Sequence, residues 1–200
     1  MFLALAREKP AVLESCDIEQ ILETSIAISD GELVAAGGSV VLELPDKLPA
    51  AAADPDQITQ VFSNLVANAG HAIRSLGKGG KVTLKAQVEA RGGFVNVEVR
   101  DNGVGVPDDI QNRIFEPFFT TKDVGEGTGI GLAFSHRVVS AHGGTLTLEN
   151  PEDGGALFRV RLPVRNASLS VRDGQKARSV MQTTAKRILV LDDERDVLDL

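Results

Sequence analysis

Asn64 and Asn68 stand four residues apart, a spacing that puts both on one face of a helix. They lie beside an apolar stripe, where an amide without a partner is costly. Such amides serve as caps or inter-helix hydrogen bonds, or one amide oxygen ligates a hard cation held between phosphates, which suits Mg²⁺. Further along, "DNGVGVP" follows a run of alternating valines, with Asp101 at the end of that run and Gly103 and Gly105 after it. This is strong turn chemistry. It is equally a place where a carboxylate accepts a hydrogen bond from an exocyclic amine such as adenine's, while the glycines let backbone approach a ligand closely. In "GEGTGIGL", Gly127, Gly129 and Gly131 alternate into a helix, whose first N–H groups can point at phosphate. The spacing is not the Rossmann fingerprint, and no Gly-Lys-Ser/Thr completes a Walker loop. The "GKGGK" at 77–81 fails that pattern too and reads as a solvated turn.

The elements that must hold these residues are legible from period and punctuation. In "ADPDQITQVFSNLVANAGHAI" Asp54 caps, Pro55 suits the first helical position and Gln57 completes the box. Ile58, Val61, Phe62, Leu65, Val66, Ala69 and Ile73 make its apolar stripe. An earlier helix begins at a D-x-x-Q box, Asp17 with Gln20, and carries Ile18, Ile21, Leu22 and Ile26. "SVVLEL" reads as a strand. "KVTLKAQVEA" and "FVNVEVRD" read as a hairpin, with Val95, Val97 and Val99 on one face. "DIQNRIF" is expected to be a short helix. Phe115, Phe118 and Phe119 are expected to anchor the loop that follows, and a helix is expected over 128–141. "TLTLEN" and "ALFRVRLPV" close the domain as a last hairpin. The order predicts an α+β fold: a two-layer sandwich with helices on one face of a mixed, mainly antiparallel sheet.

Composition narrows the class. The formal charge of −7 over 200 residues argues against nucleic acid as a partner, because phosphate backbones call for a basic surface. One cysteine, Cys16, excludes an internal disulfide and fits a reducing, cytoplasmic compartment. No apolar run approaches the ~20 residues of a membrane span, so no direct membrane contact is expected.

The four motifs, in their order, closely resemble the catalytic and ATP-binding domain of bacterial sensor histidine kinases, a Bergerat-fold domain. "NLVANA" is similar to that family's asparagine box, "DNGVGV" to its first glycine box, "FEPFFTTK" to its phenylalanine box and "GTGIGL" to its second glycine box. The resemblance spans about residues 17–164, and "FEPFFTTK" is most similar to the nitrogen-regulation-like and hybrid subgroups. It implies ATP and Mg²⁺ as cofactors. Asn68 would ligate the metal, with Asn64 facing the phosphates and Asp101 recognising adenine. Gly103 and Gly105 would form the adjoining loop. Gly127, Thr128, Gly129, Gly131 and Leu132 would form the hinge and phosphate-facing end of an ATP lid, and Lys122 would reach the phosphate tail. His71, one turn after Asn68, either packs or touches phosphate.

Bergerat-fold ATPases such as gyrase usually carry a Glu one turn before the metal-binding Asn. Here that position is Asn64, which cannot take a proton at neutral pH, so a phosphodonor is favoured over a hydrolase. None of the 3 histidines sits in the family's acceptor motif. No catalytic residue is therefore assigned, and the phosphoacceptor would lie on a dimerising helical hairpin outside the chain.

Residues 1–10 are similar to the end of that hairpin, residues 11–165 form the ATP-binding domain and residues 166–186 read as a linker. Residues 187–200 resemble the start of a response-regulator receiver, with Asp192 and Asp193 as its Mg²⁺-binding pair. The expected partners are the hairpin and a receiver domain, with dimerisation only through the hairpin. A nucleotide-sensing module without phosphotransfer and a Bergerat-fold ATPase stand as the alternatives.

Overall fold

The computed structural model describes residues 11–76, 79–89, 93–122 and 127–165. The expected hairpin end, the whole of the linker, and the receiver start with Asp192 and Asp193 lie outside those residues.

The first helix, α1 (Ile18–Ala35), begins where Asp17 Oδ1 accepts hydrogen bonds from the N–H groups of Glu19 and Gln20, at 3.0 and 3.4 Å. The second, α2 (Pro55–Ile73), starts as its sequence requires. Asp54 is extended, its side chain accepts from the Gln57 N–H at 3.1 Å, and Pro55 opens the first turn. The apolar stripe of α2 is buried, from Ile58 to Ile73. Helices α1 and α2 pack through a polar seam in which Ser25 Oγ donates to the Thr59 carbonyl and Ser29 Oγ to that of Ser63, both at 3.1 Å.

The helices cover one face of a five-stranded sheet built from β2 (Gly38–Glu43), β4 (Gly80–Val88), β5 (Phe94–Asp101), β6 (Thr145–Glu149) and β7 (Leu157–Pro163). The spatial order is β2-β4-β5-β7-β6. Strands β2 and β4 run parallel, and every other pairing is antiparallel. Val99 lies opposite Leu84 on one side and Phe158 on the other. The inward residues of the three central strands are buried, including Val82, Leu84, Val95, Val97, Val99, Val160 and Leu162. The outward face carries charge instead, as expected for an antiparallel sheet with one solvated side. There Arg159 pairs with Glu98 and Glu149, and Arg161 pairs with Glu89 while stacking on Phe94.

Three features depart from the sequence expectation. A two-stranded sheet, β1 (Glu14–Cys16) with β3 (Ala51–Ala53), is not foreseen by the pattern, because three-residue strands carry no readable alternation. The expected helix at "DIQNRIF" is a chain of turns. The N–H groups of Ile110, Arg113 and Glu116 each bond the carbonyl three residues back, so no run of i to i−4 bonds develops. The last helix, α3, spans Gly131–Ala141 rather than starting at 128, because Gly129 adopts φ +63° and a left-handed residue breaks the helical path.

Candidate nucleotide-binding site

The polar face of α2 forms the floor of a cavity of about 500 Å³. Asn64, Asn68 and His71 follow one another at helical spacing along that floor, on the side away from the buried stripe. Asp101 enters from the end of β5. Gly105 comes from the following loop, Lys122 from the Phe-rich segment, and Gly127, Thr128, Gly129, Gly131 and Leu132 from the glycine-rich approach to α3. Four separate stretches of sequence thus meet at one hollow.

Asp101 is 3 % exposed. Its Oδ1 accepts from the N–H of Gly103 at 2.8 Å and from that of Ala156 at 3.2 Å. Burial pushes its pKa above the ordinary aspartate value, and the two backbone donors and the nearby Arg100 charge pull it partly back. The residue combines a fixed orientation with a place in the cavity wall.

Gly103, one of the expected binding residues, is not among the residues lining the cavity. It packs on α2, where a Cβ would sit 2.6 Å from the Ala72 carbonyl oxygen. Its part is to let the loop lie against the helix.

The phenylalanines divide. Phe115 and Phe119 are partly buried against the core, Phe115 beside the His136 ring and Phe119 beneath the Arg113 guanidinium at 4.5 Å. Phe118 does not anchor as expected: it is 56 % exposed and has φ 68°. Its backbone supplies the function instead, because the Phe118 N–H donates to the Gly129 carbonyl at 2.8 Å. The carbonyl carbon of Phe118 would lie 2.4 Å from a Cβ at position 129, so only glycine fits there.

Helices α2 and α3 face each other across the cavity floor, and Asn64 Nδ2 donates to the Gly131 carbonyl at 3.5 Å. Lys122 Nζ donates to Asn68 Oδ1 at 3.3 Å. An amide oxygen that faces the cavity is the kind of neutral oxygen donor a hard cation accepts. Among the described residues no cluster of three or more His, Cys, Asp and Glu could hold a metal alone, so any Mg²⁺ there would depend on a ligand's oxygens.

Sequence reasoning misses the apolar wall. Val106, Ile110, Ile114 and Phe158 line the cavity together with Asp101. It also misses Asn150, whose side chain bonds both the N–H and the carbonyl of Val106 and so pins the loop after Asp101. Only the tertiary fold brings that hairpin-loop residue there.

Residues 53–166 match the family described as "Histidine kinase-, DNA gyrase B-, and HSP90-like ATPase". Sensor histidine kinase ZraS of Escherichia coli (strain K12) is 35% identical over 162 residues, covering 81% of this chain and 33% of ZraS. Among solved structures, the nucleotide-free catalytic domain of histidine kinase ThkA superposes with TM-score 0.66 at 27% identity, covering 76% of this chain and 98% of that one. Full-length ShkA in complex with AMPPNP superposes with TM-score 0.67 at 29% identity, covering 84% of this chain and 34% of ShkA. The chain spans about a third or less of the length of the curated kinases it matches. With the fold, the cavity and these similarities in agreement, the chain belongs to the histidine kinase-, DNA gyrase B- and HSP90-like ATPase family, as the ATP-binding catalytic domain of a sensor histidine kinase.

Proposed function

We propose that this domain binds ATP with Mg²⁺ and hands the γ-phosphate to a histidine on a helical hairpin. The observation that carries the reading is the convergence of Asn64, Asn68, Asp101, Lys122 and the 127–131 glycines on one cavity. The ShkA complex with AMPPNP adds support from a related kinase.

In this reading the adenine ring enters the apolar end, between Ile110, Ile114 and Phe158, and its exocyclic amine donates to the second oxygen of Asp101. The triphosphate runs along α2 toward Asn68, Lys122 and His71, and the N–H groups of Gly129 and Gly131 face it. Asn68 Oδ1 would hold Mg²⁺ together with phosphate oxygens, and the metal would neutralise charge on the transferring group. In the transfer a bond forms between an imidazole nitrogen and the γ-phosphorus. The bond from that phosphorus to the β–γ bridging oxygen breaks, and ADP leaves. Such a step needs positioning and charge neutralisation above all. Water attack has no base at position 64, where an amide stands, so hydrolysis is slow.

The parent would be a hybrid kinase of the nitrogen-regulation-like subgroup, acting in the cytoplasm. "FEPFFTTK" and the acidic pair Asp192 and Asp193 support this, with a receiver domain as the next acceptor. The test mixes the chain with Mg·ATP labelled at the γ-phosphate and a purified hairpin from the parent kinase. Label on the hairpin histidine is the expected result. Tight ATP binding with no labelled hairpin would reduce the domain to a nucleotide sensor.

A further inference from the structure

Lys122 is in contact at its backbone, along its stem and at its tip. Its backbone N–H donates to Thr120 Oγ1 at 3.1 Å. Its stem runs past Gly127, where an added Cβ would come within 3.0 Å of Lys122 Cδ. Its tip donates to Asn68 Oδ1 at 3.3 Å. Of the described residues that line the cavity, Lys122 is the only Lys or Arg and Asp101 the only carboxylate. The one Lys or Arg side chain among them therefore rests on the amide oxygen that the ATP-binding reading gives to the metal.

We propose that Lys122 is a built-in counter-cation for Asn68. It occupies the metal position while no metal is present, yields it to a metal carried in by nucleotide, and substitutes for the metal when nucleotide arrives without one. The proposal rests on the ATP-binding reading and extends it to the state in which the ligand is metal-free.

The chemistry supports each part. An amide oxygen accepts from whatever donor or cation is in reach, and an ammonium supplies a charge-assisted bond. An ammonium also attracts the anionic phosphate tail of a nucleotide. The four-carbon stem of lysine lets the same ammonium swing from the amide to the phosphate tail when a metal takes its place. Mg²⁺ and Lys122 are thus alternative occupants of one oxygen. The site should then discriminate weakly between metal-bound and metal-free nucleotide in binding, although phosphoryl transfer still requires the metal.

Two measurements on the 200-residue chain test this. In the nucleotide-free protein, the side-chain amide resonances of Asn68 shift on Lys122→Met, a change that removes the charge and keeps the stem. Unmoved resonances show that the contact does not exist in solution and overturn the proposal. AMPPNP affinity is then measured by calorimetry with Mg²⁺ and with EDTA. Chelation should weaken binding less than about tenfold in the unaltered chain and more than about a hundredfold in Lys122→Met, whose Asn68 has lost its stand-in. The same ratio in both proteins overturns the proposal and leaves the ATP-binding reading intact. No AMPPNP binding by the unaltered chain in either buffer overturns both.

Discussion

The Nε2 atom of His142 accepts a hydrogen bond from the backbone N–H of Asp54 at 3.0 Å, across 88 positions of sequence. Because that N–H can only donate, the ring proton resides on Nδ1, which donates to the Val138 carbonyl at 2.7 Å. His142 is 3 % exposed. It joins the end of α3 to the residue that caps α2, while Asn64, midway along α2, donates to Gly131 at the start of α3. The two helices are therefore tied at two separate points.

Removing this clamp should be costly. His142→Ala leaves the Asp54 N–H without its buried acceptor, and we expect a loss of about 1–3 kcal/mol in urea unfolding. A change below about 0.5 kcal/mol would mean that water replaces the ring at no penalty.

Asp101→Asn separates recognition from folding. The amide oxygen can still accept from Gly103 and Ala156, and the cost of a buried charge is removed. Stability in urea should hold or rise, while ATP affinity falls about a hundredfold because the exocyclic amine meets a donor. Unchanged affinity would refute the adenine assignment.

The same carboxyl predicts a pH dependence. Its pKa in the folded protein lies above the ordinary aspartate value, chiefly through burial. The stabilising contribution of its neutral form is present below the unfolded pKa and is lost as pH rises through the folded one. Ligand binding runs the other way, because the ionised oxygen is the acceptor. On acidification through the raised pKa, ATP affinity should fall in the unaltered chain. Its advantage over Asp101→Asn should narrow as pH falls from neutral through that raised pKa. Taking the ratio of the two proteins cancels the nucleotide's own protonation. A constant ratio would show that Asp101 does not titrate in that window.

The phenylalanines should rank by burial rather than by motif. Phe119→Ala removes a ring packed on the core and under Arg113 and should cost about 1–3 kcal/mol. Phe118→Ala touches a side chain that is 56 % exposed and should cost less than about 0.5 kcal/mol. Thermal or urea unfolding of the two variants checks the order, and the reverse order would contradict this packing.

What is legible in the sequence follows from local rules. Helix α2 announces itself because Asp54, Pro55 and Gln57 mark its start and one stripe marks its buried side, so the spacing of Asn64 and Asn68 alone puts them on its other face. Asp101 is readable because strand alternation stops there. The 3.6-residue period does not reveal that "DIQNRIF" satisfies its N–H groups three residues back, since the i, i+4 spacing of Ile110 and Ile114 fits a helix as it stands. The exposure of Phe118 escapes the sequence because its φ is set by pairing with Gly129, eleven residues later, and aromatic character says nothing of that. Asn150 and β1 are invisible for a similar reason, their partners being distant in sequence.

The backbone bond from Phe118 to Gly129 has a bearing on how this domain can vary. It holds residues 118 and 129 together, and so fixes the two ends of the span between them. Closing a flexible loop becomes harder only logarithmically with length, about 0.6 kcal/mol for each doubling. Insertions within that span should therefore leave the helices, the sheet and the placement of Asp101 undisturbed. The length of that span can therefore change without rebuilding the domain that carries it.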